Sequence, residues 1–159
     1  MGDRPSVEYQ LFNLRLPAET LSRLHRYRDY LNQTQPGIDV APAVIGFCLG
    51  GTLAWGVAAN AEPSCCVSYY GSGVASMIGL IDQVSCPTLF HFGNEDPYIP
   101  NEGVDTIGAS LAGRPGFVLN VENAGHAFDN HESEMFYNEN AANAAWAKTM
   151  AFLAANLPA

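Results

Sequence analysis

Hydrophobic residues along this chain fall into short runs separated by longer stretches of helical spacing. Residues 7–16 read VEYQLFNLRL and predict a strand with Val7, Tyr9 and Leu11 on one face. Pro17 and Glu19 open a predicted helix carrying Leu21, Leu24, Tyr27 and Leu31, which Pro36 and Gly37 close. Residues 43–47, AVIGF, predict a buried strand, with Pro42 acceptable at its start. This run passes straight into Cys48-Leu49-Gly50-Gly51 and a helix of small residues, Ala54, Gly56, Ala58 and Ala59. The pattern then repeats three times. Residues 65–70 end at Gly71-Ser72-Gly73, residues 88–92 at Gly93 and an acidic turn, and residues 117–121 at Asn123-Ala124-Gly125-His126. A last helix over residues 139–156 places Trp146, Met150, Leu153 and Leu157 on one face.

Most of these strands lack the polar alternation of a half-exposed sheet. Apolar strands alternating with helices predict an α/β fold: about four parallel strands covered by helices on both faces. No internal repeat, low-complexity tract or linker divides residues 1–159, which read as a single domain.

Charge narrows the range of partners. Seven Lys and Arg against sixteen Asp and Glu give a formal net charge of -9, which argues against a nucleic-acid partner. No apolar run approaches a membrane span, and residues 1–5 (MGDRP) have no signal-peptide core. Met1-Gly2 with Ser6 has the outline of a myristoylation start, which Pro5 weakens. Cys48, Cys65, Cys66 and Cys86 show no paired spacing, so the expectation is a cytoplasmic protein with reduced thiols.

Three polar residues stand just beyond predicted strand ends, the edge where open parallel sheets form ligand sites. Cys48 lies in Gly46-Phe47-Cys48-Leu49-Gly50, the thiol version of the G-x-S-x-G nucleophile elbow. Such a turn lifts the sulfur out of the sheet and puts the Leu49 N–H beside it at a helix N-terminus, as a candidate oxyanion donor. Taken alone, a cysteine in a glycine-rich turn is more often a packing residue. Asp96 follows the third apolar run and His126 the fourth, giving the nucleophile, acid, histidine order of α/β-hydrolases.

The segments IGFCLGG, VSYYGSG, PTLFHFGNEDPYIP and NAGHAF resemble the signature segments of the dienelactone hydrolase family, from about Leu21 to the C-terminus. That resemblance implies an α/β-hydrolase fold with Cys48 as nucleophile, His126 as general base and Asp96 as the carboxylate orienting the imidazole. Tyr70 matches a tyrosine lining the family's pocket. A complete member has several strands before the elbow, whereas this chain has at most one, so it reads as an N-terminally truncated, partial α/β-hydrolase fold. A second oxyanion donor, a carboxylate that interacts with the cysteine and substrate-binding arginines find no counterpart. Ala127-Phe128-Asp129-Asn130 stands where one such arginine would follow the histidine. A half-sheet leaves the strand at residues 43–47 with an unpaired edge, so a homodimer or higher homo-oligomer is expected to cover it, with residues 7–16 as the contributor.

Other residues read more plainly. Glu95 is the alternative acid to Asp96. His91 reads as a hydrogen-bonded core histidine and His25 as helix surface. His126, His131, Glu132 and Glu134 match no metal-ligand spacing, so neither metal nor cofactor is expected. Cys65, Cys66 and Cys86, with Met77 and Trp146, read as core, and Asp129, Glu132, Glu134 and Glu139 as a solvated acidic face. The reading that follows is a thiol-dependent hydrolase of small esters, lactones or thioesters. Its rival is a non-catalytic oligomer that binds a small molecule or another chain, and a redox-sensing Cys48 comes third.

Overall fold

The computed structural model of the chain describes residues 42–157. The strand predicted over residues 7–16 and the helix after it lie outside the described residues. Four strands form one parallel sheet in the order of the sequence: β1 (Val44–Phe47), β2 (Cys66–Tyr69), β3 (Thr88–Gly93) and β4 (Phe117–Glu122). Between and after them come α1 (Leu49–Ala61), a 3₁₀ helix (Ala75–Gln83), α2 (Asn101–Leu111) and α3 (Glu139–Asn156). Each of the four strands predicted within the described residues thus appears within two residues of its expected bounds. No helix among the described residues is long and apolar enough to cross a membrane.

Period-two alternation assigns the two faces of the sheet. Phe90 of β3 meets Trp55 of α1 edge-on at 5.2 Å, and Leu119 of β4 abuts Gly108 of α2, so α1 and α2 lie on one side. The Trp55 indole N–H donates to the Met77 carbonyl at 3.0 Å and ties the 3₁₀ helix to the same layer. The opposite face carries a cross-strand row, Phe47, Tyr69, His91 and Asn120, each paired in register with the next. Phe47 stacks on Tyr69 at 4.7 Å and Tyr69 on His91 at 4.3 Å. Helix α3 covers Tyr69 and His91 of this row: Thr149 Oγ1 lies 2.7 Å from the Tyr69 hydroxyl and 2.9 Å from His91 Nε2. Asn138 caps α3 by accepting the Ala141 N–H.

The inward face of α3 is made of Ala141, Ala142, Ala145 and Thr149, all buried. Trp146 and Met150, expected to face the core, are 46% and 50% exposed. Small residues win the inward positions because they let the helix approach a sheet face already filled by aromatic rings and hydrogen bonds. Met77, Cys65, Cys66 and Cys86 are buried as expected. Burial pushes the three thiols upward in pKa, Cys66 most, and keeps them neutral. Strand β1 is terminal in the described sheet, with Ile45 and Phe47 exposed.

Candidate active site

The turn from β1 into α1 sets the geometry. Cys48 has φ 55° and ψ -120°, a conformation that L-residues rarely adopt. Its N–H donates to the Tyr69 carbonyl at 3.0 Å, and its own carbonyl accepts the N–H groups of Gly51 (2.9 Å) and Thr52 (3.2 Å). A Cβ on Gly46 would collide with the Gly50 carbonyl, and one on Gly51 with the Tyr69 carbonyl. A Cβ on Gly50 would meet nothing among the described residues. Close approach therefore demands glycine at 46 and 51, one place later than the G-x-C-x-G pattern suggests. The Leu49 N–H opens α1, where helix geometry leaves donors without intrahelical partners.

The ends of β3 and β4 deliver the other two groups. Asn94 and Glu95 donate their N–H groups to the carbonyls of Glu122 and Ala124, which locks the two loops together. Asp96 Oδ1 accepts the N–H groups of Tyr98 (2.8 Å) and Ile99 (3.2 Å). Its Oδ2 lies 2.7 Å from His126 Nδ1. The carboxylate is fully enclosed, while Glu95, the alternative acid, is exposed. With Nδ1 donating to the carboxylate, His126 Nε2 is left as the acceptor side of the ring and faces Cys48 Sγ at 3.1 Å. The rings of Tyr70 and Tyr98 flank the imidazole, each centred 5.2 Å away. Cys48, Asp96 and His126 are thus brought into one hydrogen-bonded line from three strand ends.

A pocket of about 350 Å³ opens beside the sulfur. Phe47, Cys48 and Tyr70 line it together with Ala127, Asp129, Asn130, His131 and Glu132 from the loop after β4. Tyr70 and Ala127 also have positive φ, 37° and 53°. Three of the four non-glycine residues with positive φ among those described therefore line this one pocket, and strain of that kind concentrates at functional sites. Burial, with the nearby negative charge of Asp129, drives the Tyr70 phenol far above its ordinary pKa and keeps it protonated. Asp129 is partly buried, and burial raises its carboxyl, an effect that His131 counters.

Of the two acids expected on a solvated face, Glu132 is exposed and Asp129 is partly buried, and both line the pocket. Tyr98, which packs on His126, was not singled out. The pointer available in the sequence is position, since Tyr98 stands two residues after Asp96, in the loop beyond β3 at the same edge of the sheet. His91 stays out of the pocket: it is fully buried and bonded to Thr149 and Asn120, with its pKa lowered to about 4, chiefly by burial and then by the Lys148 charge. No His, Cys, Asp and Glu cluster suited to a metal ion occurs among the described residues.

Comparison with known proteins agrees with this architecture. A carboxymethylenebutenolidase of Pseudomonas sp. (strain P51) is 38% identical over 120 residues, covering 76% of this chain and 50% of that one. Carboxymethylenebutenolidase 1 of Cupriavidus pinatubonensis is 29% identical over 164 residues, covering 94% of this chain and 68% of that one. Among solved structures, a Klebsiella pneumoniae protein assigned as a dienelactone hydrolase shares the fold with a TM-score of 0.71. It is 23% identical, and the match covers 97% of this chain and 68% of that one. The chain spans about half the length of several curated relatives it matches. The dienelactone hydrolase family matches residues 2–157, nearly the whole sequence, and the chain belongs to that family.

Proposed function

We propose that this chain is a thiol-dependent hydrolase of small carboxylic esters, lactones or thioesters, with Cys48, His126 and Asp96 acting as a triad. The observation that carries this reading is the continuous line from Cys48 Sγ to His126 Nε2 (3.1 Å) and from His126 Nδ1 to Asp96 Oδ2 (2.7 Å). His126 takes the thiol proton on Nε2 as the sulfur attacks the substrate carbonyl carbon. Asp96 holds the ring in the required tautomer and stabilises the imidazolium. The Leu49 N–H donates to the oxyanion that forms. When the tetrahedral intermediate collapses, the bond to the leaving oxygen or sulfur breaks and His126 returns the proton to that group. A water then attacks the Cys48 thioester, giving one proton to Nε2; the C–S bond breaks, the acid departs and the thiol is restored. In a lactone the leaving alcohol stays attached to the acid, so the product is one hydroxy acid. Tyr70, protonated and rigidly placed, shapes the pocket wall next to the sulfur.

The test is hydrolysis of a short activated ester by the wild type, Cys48→Ala and His126→Ala, with oligomer mass recorded on the same samples. Loss of turnover in both variants at unchanged mass supports the triad. Equal rates in all three proteins would refute it and favour a binding role.

A further inference from the structure

We propose that Asp129 and Glu132 make the pocket select by charge, favouring cationic over neutral and neutral over anionic ester or thioester substrates. This inference rests on the thiol-hydrolase reading and names a substrate class for it. Both residues line the same pocket as Cys48 and Tyr70. No Lys or Arg is among the described residues that line it. The placement follows from the backbone. His126 is fixed by Asp96, Ala127 turns the chain with φ 53°, and Phe128 is driven into the core against Tyr69 and Tyr70. The Asp129 backbone is held beside Tyr70, because the N–H groups of Asn130 and Asn138 donate to the carbonyls of Ala127 and Phe128.

Asp129 and Cys48 both raise the Tyr70 phenol, after burial, so the acid and the sulfur share the surroundings of one phenol. Such a wall attracts a positive group on the leaving or acyl arm and repels a carboxylate placed there. Together the two carboxylates, partly screened by solvent, are worth about tenfold in relative rate. The partly buried Asp129 contributes the larger share, since the exposed Glu132 is more strongly screened.

Three acetyl thioesters of matched chemistry serve as probes: acetylthiocholine, its neutral carbon isostere S-(3,3-dimethylbutyl) thioacetate, and anionic S-acetylthioglycolate. Thiol release at pH 8 and low salt gives kcat/KM for each. Expected for the wild type is a cation-to-neutral ratio of about ten and an anion-to-neutral ratio near one-tenth. Asp129→Asn with Glu132→Gln moves both ratios toward one. Glu132→Lys, at an exposed position that tolerates a long side chain, raises the rate for the anion relative to the cation. Ratios unmoved in these variants, or a uniform loss on all three probes, would overturn charge selection. Should Cys48→Ala retain turnover, the hydrolase reading itself fails, an outcome separate from unmoved ratios in an enzyme that Cys48→Ala silences.

Discussion

Lowering the pH should destabilise this protein through one buried imidazole, by an amount that can be worked out. His91 is fully buried, stacked on Tyr69, with Nε2 2.9 Å from Thr149 Oγ1 and Nδ1 2.9 Å from the Asn120 amide nitrogen. Lys148 bonds the Asn120 carbonyl oxygen, and Glu122 accepts from both Asn120 and Lys148. That arrangement fixes the amide with its NH₂ toward Nδ1, so Nδ1 accepts and Nε2–H donates to Thr149. A second ring proton would meet a donor, in a site already desolvated and close to the Lys148 cation. The pKa accordingly falls from 6.5 to about 4, with burial the largest cause, then Lys148, partly offset by Glu122.

Because the unfolded chain binds this proton more readily than the folded one, stability is full above pH 6.5. It is lost as pH falls from 6.5 toward 4. Between pH 7.5 and 4.5 the loss through this group is about 2.5 kcal/mol. Urea unfolding of wild type and His91→Gln at a series of pH values isolates it. Gln keeps an acceptor and a donor but does not titrate, so the wild-type curve should fall below that of the variant by this amount. Parallel curves, or an NMR titration of the His91 ring with a midpoint near 6.5, would refute the reasoning.

Asp96→Asn removes the partner of His126 Nδ1 and favours the wrong tautomer. It should lower kcat/KM for an activated ester by about a thousandfold while leaving the fold intact by circular dichroism. Gly46→Ala should destabilise by about 3 kcal/mol, because its Cβ would overlap the Gly50 carbonyl. Gly50→Ala, with open space at its Cβ and a helical backbone, should stabilise by about 0.5 kcal/mol; thermal melts of the two variants should move in opposite directions. Ala127→Gly relieves a positive φ and should raise stability by about 0.5 kcal/mol in urea unfolding. The freed loop should weaken discrimination among substrates by charge.

Strand positions were legible because each strand here is a short apolar run closed by glycine or an acidic turn, a signal that survives without any knowledge of tertiary contacts. Cys48, Asp96 and His126 were legible for the same reason, since a parallel sheet places every strand end on one edge. What could not be read was which residues win a contested surface. Helix α3 is apolar on several sides, and Trp146 offers far more apolar surface to bury than Ala145. The sheet opposite is filled by Tyr69 and His91, so the helix presents Ala145 and Thr149, and the Thr149 hydroxyl meets both partners. Asp129 was misjudged because its burial depends on Phe128 beside it diving beneath the loop, a contact between distant elements. Glycine at 51 is required by the Tyr69 carbonyl, equally invisible in a local motif.

The same cross-strand row explains how the strained site is held. Residues in sparsely populated backbone regions cost about 1–3 kcal/mol each and persist only where the surroundings over-determine them. Phe47 precedes Cys48 and Tyr69 precedes Tyr70, so the last ordinary residue of each strand belongs to the stacked row and the next is strained. Parallel pairing continues one step beyond the row: the Cys48 N–H donates to the Tyr69 carbonyl, and the Tyr70 N–H to the His91 carbonyl at 2.7 Å. Each strained backbone is therefore anchored by the neighbouring strand's residue in that row. Those residues are pinned in turn by stacking, by Thr149 and by the Asn120 amide. Burial of neutral polar groups under α3 thus fixes the direction in which Cys48 leaves the sheet, and with it the 3.1 Å approach of sulfur to imidazole. On the proposed reading, specificity and chemistry are separable on this scaffold. The row and the Asp96 turn set the reacting line, while the loop after His126 can change its charges without touching either.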